Sequence, residues 1–427
     1  MPHLLLQLSV ILATARLLAL LLRRLGQPPV VGEMIAGFVL GPIGFGALAP
    51  TWHAALFPKD GLAALQGLGQ LGLVLFMFIV GAELRAPDGV RAALVKAAWV
   101  GIPGVVLPGA LGLAIAPALY ADFAPGGVGV GPFALFMAAA LAITAFPVMA
   151  RILKDRGLTH SPIGQLSLGA TAIADVLVWI LLAFVIASIS AHGDAALMRA
   201  LVGLALASAA AFGLLRPLLA RLLARHASDG RPGGGVLGLL LIGTCAMAAA
   251  TEWLGLHAVF GAFLAGACLP RDDRLLDTLV ERLEHVAVLV LMPVFFALAG
   301  LGTTADAFTA TGLSALLLIL AAAVLGKIIG AGGGARIAGL DGRASLAVGS
   351  LMNARGLMEL VVLQVGRDAG VIGPALFTLM MAMTIATTLM ATPMLELCVR
   401  RGRDGTPARA GRDAASTAQS PTTRSPK

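Results

Sequence analysis

The chain has 427 residues, of which 59% are hydrophobic and 12% charged, and that charge content excludes an ordinary soluble domain, which carries about 25%. The apolar residues form long Leu- and Ala-rich blocks, which exclude the short alternating strands of a β-barrel and leave membrane-spanning helices. The net charge of +8 lies between those blocks, so it reads as membrane orientation and no nucleic-acid partner is expected.

Taken in chain order, spans are predicted near 3–22, 29–45, 62–84, 92–117, 132–153, 163–190, 197–219, 235–254, 256–270, 287–301, 312–332, 344–366 and 370–398. The first lacks a basic leader and reads as a retained helix rather than a signal peptide. Leu275–Val286 carries Asp277, Glu281, Arg282 and Glu284 among leucines, as a helical lead-in at the membrane surface would. The expected fold is all-α and integral to the membrane: a transmembrane domain over 1–398, then a disordered cytoplasmic tail over 399–427, rich in Ser, Thr, Pro, Gly and Arg. Cys245, Cys268 and Cys398 sit in apolar context without metal spacing, so no metal site or cofactor is expected.

The basic residues test the count of thirteen. With the N-terminus outside, alternate loops hold Arg23 and Arg24; Arg85, Arg91 and Lys96; Arg151, Lys154 and Arg156; Arg216, Arg221, Arg225 and Arg231; Arg271, Arg274 and Arg282; Arg336 and Arg343. The intervening loops hold only Lys59, Arg199 and Arg367. By the positive-inside rule the first set and the C-terminus are cytoplasmic, in a cell inner (plasma) membrane.

An internal repeat runs through the same spans. The second contains GEMIAGFVLGP from Gly32 and the ninth GAFLAGACLP from Gly261. The third contains LVLFMFIVGAEL from Leu73 and the tenth LVLMPVFFALAGL from Leu289. Both pairs are seven spans apart, and an odd offset inverts orientation, so the halves at about 3–190 and 235–398 are expected to be inverted repeats joined by a linker helix at 197–219. Small-residue packing motifs can resemble one another by chance; two matches at one offset argue against that.

Five ionisable residues stand out inside predicted spans: Asp175, Glu252, Lys327, Arg355 and Glu359. Each costs roughly 2.5–3.5 kcal/mol at mid-membrane. Together that rivals a protein's whole stability of about 5–15 kcal/mol, so all five are expected inside the bundle. Asp175, in GATAIADVLVWILLA, has no other ionisable residue between Ile163 and Ile189. Burial favours the neutral acid and a nearby cation the carboxylate, so such a group can hold a proton or a metal cation in turn. It could equally pair with Lys327 to join two helices.

The fifth span carries Ile-Thr-Ala-Phe-Pro from Ile143 and the twelfth Met-Asn-Ala-Arg-Gly from Met352. Pro147 and Gly356 mark these as paired helix breaks, the usual pointer to a midplane site. Freed carbonyls, with Thr144 and Asn353, would offer oxygens to a hard cation. Arg355 and Glu359, four residues apart, read as a brace across the broken helix. Glu33 and Glu83 lie near span ends, Arg16 is expected to snorkel, and His257 reads as structural. No HExxH, GxSxG or Walker motif is present, so an enzyme is not expected.

These stretches resemble the cation:proton antiporter superfamily, in the branch of the Kef-type and NapA-type exchangers. The carriers are GQPPVVGEMIAGFVLGP from Gly26, GLVLFMFIVGAEL from Gly72, ITAFPVMARIL from Ile143, ADVLVWILLA from Ala174, TEWLGLHAVFGAFLAGACLP from Thr251 and NARGLMELVVLQVG from Asn353. They cover roughly residues 5–395. The resemblance implies an NhaA/NapA-like core with two crossed discontinuous helices, a homodimer, and an elevator-like motion exchanging Na+ or K+ for H+. It implies Asp175 as carrier of ion and proton and Lys327 as the cation of the eleventh span. Ala174 departs from the pattern, because relatives carry a second acid, or Asn or Gln, before the Asp. That departure favours one-for-one, electroneutral exchange. A symporter or channel on a related fold, or a non-transporting member, are the alternatives.

Overall fold

The computed structural model describes residues 2–58, 61–83, 91–159, 161–190, 202–203, 205–206, 208–226, 233–254, 258–270 and 273–403. Among them the chain is helical, without a strand. The principal helices are α1 (Pro2–Arg24), α2 (Pro29–Leu40), α3 (Leu62–Glu83), α4 (Arg91–Phe123), α5a (Val130–Ala142), α5b (Phe146–Asp155) and α6 (Pro162–Ser190). After them come α7 (a π-helical turn Ala211–Leu215 running into Arg216–His226), α8 (Gly234–Trp253), α9 (Ala258–Ala267) and α10 (Asp273–Val286, a π turn Ala287–Leu291, then Met292–Leu301). Last are α11 (Ala310–Ile337), α12a (Gly342–Met352), α12b (Leu357–Asp368) and α13 (Pro374–Arg403).

Ten helices among the described residues are long and apolar enough to cross a bilayer, and α12a with α12b, bent by 44°, would make an eleventh. The remaining two predicted spans correspond to α9, only ten residues long, and to the stretch at 197–219, which lies partly outside the described residues. The tail beyond Arg403 and His257 also lie outside them.

Several boundaries differ from the sequence reading for local reasons. The second span stops at Leu40 rather than 45, because Gly41 leaves the helix and Pro42 disfavours a helical residue before it. Two short helices, Phe45–Leu48 and Pro50–Leu56, follow. The fourth runs on to Phe123 through Pro103, Pro108 and Pro117.

Glu252 is corrected. It occupies the last turn of α8 and is exposed beside Trp253, which is 96% exposed. A carboxylate one turn from a helix end keeps its hydration, so it need not enter the bundle as the other four ionisable residues do.

The packing depends on glycines that admit a neighbouring backbone. A Cβ on Gly32 of α2 would collide with the backbone of Leu18 and Ala19 in α1. One on Gly261 of α9 would collide with Met247 and Ala248 in α8. Five residues on in each motif, Gly37 lies against the Phe296 carbonyl of α10 and Gly266 against the Phe78 carbonyl of α3. Small residues permit such close approach where lipid provides no hydrophobic drive between helices.

Candidate functional site

The two broken helices meet in their interruptions. Between α5a and α5b the chain is extended at Ile143 and Ala145, and between α12a and α12b it turns through residues 353–356. The Ala145 N–H donates to the Ala354 carbonyl (3.0 Å), and the Thr144 hydroxyl donates to the Met352 carbonyl (3.1 Å). Pro147 is the second residue of α5b, where a missing N–H costs nothing; the break falls just before it. Gly356 caps the start of α12b, and a side chain there would press on Val148.

A helix ending inside a protein leaves carbonyls without partners. At the end of α5a two cations take them. Arg355 donates to the Ala140 carbonyl (2.9 Å) and the Leu141 carbonyl (2.6 Å), and Lys327 to the Ala142 carbonyl (2.5 Å). Positive charge also suits the negative end of the helix dipole. Lys327 further donates to Gly104 O (2.9 Å) and Thr144 Oγ1 (2.7 Å). The Gly104 carbonyl is free because Pro108, four residues on, has no N–H to give it. Gly326 packs directly on Pro108 and brings Lys327 to that point.

Glu359 completes the brace. It accepts from Arg355 at 2.6 Å, with both residues fully buried, and lies in the first turn of α12b, where a carboxylate faces the positive end of the helix. The backbone of Arg355 is held from α13: its N–H donates to Thr388 Oγ1 (3.0 Å), and that hydroxyl donates back to its carbonyl (2.7 Å). The sequence reading missed Thr388, although the buried run Thr384, Thr387 and Thr388 in an apolar span was a signal.

Two expectations change here. The carbonyls of Ala140, Leu141, Ala142 and Met352 do not stand open to a cation, because Arg355, Lys327 and Thr144 bond to them. Lys327 makes no hydrogen bond to Asp175, because its three donors go to Gly104, Ala142 and Thr144, although the two charges lie close enough to attract.

Asp175, on α6, is 4% exposed, and its Oδ2 has no hydrogen-bond partner. One turn earlier on the same face, Thr171 lies 3.1 Å from the sulfur of Met352, so this stripe of α6 abuts the end of α12a. Asn353 is the next residue; it is fully buried with neither amide atom partnered. Buried polar groups are otherwise almost always satisfied. Asp175 and Asn353 together therefore offer oxygen and amide groups that the fold leaves unused.

Glu33, 6% exposed, faces a different space. With Arg16 and Arg151 it lines a cleft of about 360 Å³ between α1, α2 and α10 on one side and α5b and α12b on the other, reaching Ala145 at the crossing. Arg16 is exposed to this cleft. The side chain of Glu83 lies outside the described residues.

The chain is similar to known proteins over nearly its whole length. Residues 9–401 match the family model "Sodium/hydrogen exchanger, transmembrane". The Na(+)/H(+) antiporter NhaS4 of Synechocystis sp. is 37% identical over 388 residues, covering 90% of this chain and 94% of that protein. Cation/H(+) antiporter 17 of Arabidopsis thaliana is 36% identical over 96% of this chain, and K(+)/H(+) antiporter 1 of Saccharomyces cerevisiae 32% identical over 92%. The chain spans about half the length of those two, 50% and 46%. In fold it resembles the sodium proton antiporter MjNhaP1 of Methanocaldococcus jannaschii, with a TM-score of 0.63 over 93% of this chain and 98% of that one at 13% identity.

Proposed function

The chain belongs to the sodium/hydrogen exchanger family, and from that premise we propose that it exchanges Na+ or K+ for protons across a membrane with Asp175 as the shared carrier. The observation that carries this reading is the unpartnered carboxylate oxygen of Asp175, buried on a face of α6 that abuts the crossing. A carboxylate without a committed partner can take a proton from one side and release it for a cation on the other. Asn353 supplies a second oxygen. Thr144 belongs with the brace, because its hydroxyl already serves Lys327 and Met352.

Charge balance supports one-for-one exchange. Lys327 and Arg355 offset Asp175 and Glu359, so loading Asp175 with a proton or with a monovalent cation leaves the site at the same charge. Ala174, fully buried beside it, cannot titrate. The protein operates by alternating access, its braced crossing moving as one piece against α1, α2, α3 and α10, and it works as a homodimer. The distribution of basic loops supports an N-terminus outside and a C-terminus in the cytoplasm. The paired glycine contacts support inverted halves: α2 meets α1 and α10 as α9 meets α8 and α3, which is the pattern a seven-helix offset requires.

The test is proton flux in proteoliposomes driven by a Na+ or K+ gradient. Asp175→Asn keeps the size of the side chain and removes its titration. It is expected to abolish exchange while the protein still folds and inserts. Exchange at a near-unaltered rate in that variant would overturn the assignment.

A further inference from the structure

The arginine-rich end of the molecule holds a feature that the Asp175 corner does not include. Two cavities of about 360 Å³ each lie side by side there. The inner one, described above, has mainly apolar walls, among them Leu20, Phe76 and Leu289. The outer one is polar and is bounded in part by Gln27, Asp155 and Arg156. Arg23 of α1 and Arg151 of α5b line both chambers and so mark where they meet.

These two arginines are only loosely committed to the fold, Arg151 through the charges of Asp155 and Glu33. Among the described residues the Arg23 side chain has no hydrogen bond or ion pair, and Arg151 reaches only Asp155, one turn away at 3.7 Å with both side chains about half exposed. Arg156, by contrast, is engaged: it pairs with Glu396 of α13 and donates to the Gly26 carbonyl. Deeper in, Arg16 and Glu33 line the inner chamber together, so their charges offset each other.

We infer that this double chamber binds an anionic phospholipid, with its phosphate between Arg23 and Arg151 and an acyl chain in the inner chamber. Guanidinium groups match phosphate oxygens in geometry and charge. Basic pockets between transmembrane helices on the cytoplasmic side suit lipid headgroups. A free metal cation would be repelled at the two arginines, and a small soluble anion would leave the apolar chamber unused. The lipid would tie α1 to α5b and so stabilise the folded protein by mass action.

Thermal unfolding of the purified protein in neutral detergent, titrated separately with phosphatidylglycerol, phosphatidylcholine and inorganic phosphate, tests the inference. Phosphatidylglycerol is expected to raise the midpoint saturably, and the other two to leave it unchanged. Arg23→Gln and Arg151→Gln should each weaken the phosphatidylglycerol effect about fivefold, and the double variant about thirtyfold. Leu289→Trp, which fills the apolar chamber and leaves the charges alone, should also block it. Arg225→Gln on α7 is the control and should bind as the unaltered protein does. Undiminished phosphatidylglycerol binding by the double variant, or an equal response to phosphatidylcholine or to phosphate alone, would overturn the inference.

Discussion

The crossing of α5 and α12 and the corner at Asp175 lie against each other, yet they differ in how far their buried polar groups are partnered. At the crossing, Lys327, Arg355, Thr144 and Thr388 give side-chain partners to the carbonyls of Ala140, Leu141, Ala142 and Met352 and to the backbone of Arg355, and Glu359 pairs with Arg355, leaving only Arg355 Nε and Glu359 Oε1 of the brace without a partner. At the corner, Asp175 Oδ2 and both amide atoms of Asn353 have none. A brace must be satisfied, because an unpaired buried group costs about 1–3 kcal/mol, and more if charged. A carrier must not be, because a committed carboxylate could not release what it carries. Under the proposed function, the comparison predicts which residues' loss unfolds the protein and which residues' loss stops transport.

Four measurements would break or sharpen that separation. The largest stability effect is expected from Glu359→Gln, which leaves Arg355 charged and fully buried without its counter-ion. Detergent-solubilised protein should lose about 3–5 kcal/mol, read by chemical unfolding. The double variant Arg355→Met with Glu359→Leu should recover part of this. It should not recover all, because the Ala140 and Leu141 carbonyls lose their donors. Full recovery would mean that the cap on α5a contributes nothing.

Thr388→Val removes one hydroxyl that serves both backbone groups of Arg355. A loss of about 1–3 kcal/mol is expected, with the cation preference of exchange unchanged. A shift in preference would move Thr388 from the brace to the carrier.

The third measurement concerns charge. A potential of 100 mV does work of about 2.3 kcal/mol on each net elementary charge moved. With one titratable carboxylate in the open corner, the gradient ratio at which exchange reverses should not respond to an imposed potential. A shift equivalent to one charge would require a second proton carrier, and the brace would have to supply it.

Glu252→Gln is expected to do least. The residue is exposed at the end of α8, so stability should change by no more than about 0.5 kcal/mol, with exchange unaltered. A strong loss of transport would place Glu252 on the ion path in spite of its exposure.

Much was legible before any coordinates. Long apolar blocks can only be satisfied as helices in lipid, so the all-helical, multi-spanning architecture followed from composition. Asp175, Lys327, Arg355 and Glu359 stood out because charge in an apolar run is costly, and all four are buried. Glu252 met the same criterion and proved exposed, because the criterion counts any charge within a span, and the predicted span 235–254, like the observed helix, has Glu252 in its last turn. Pro147 and Gly356 signalled two breaks, since their backbone restrictions are local.

Which polar groups the fold satisfies was decided only by tertiary structure. Lys327 and Asp175 have opposite charges, and their side chains alone suggested a pair. The hydrogen bonds of Lys327 went elsewhere because Pro108, more than two hundred residues away in the chain, left the Gly104 carbonyl without a donor, and Gly326 let α11 approach close enough to supply one. Hydrogen bonds depend on distances of a few tenths of an ångström between segments remote in sequence. A list of residues contains the donors and acceptors, but only the packed helices determine which of them are left free.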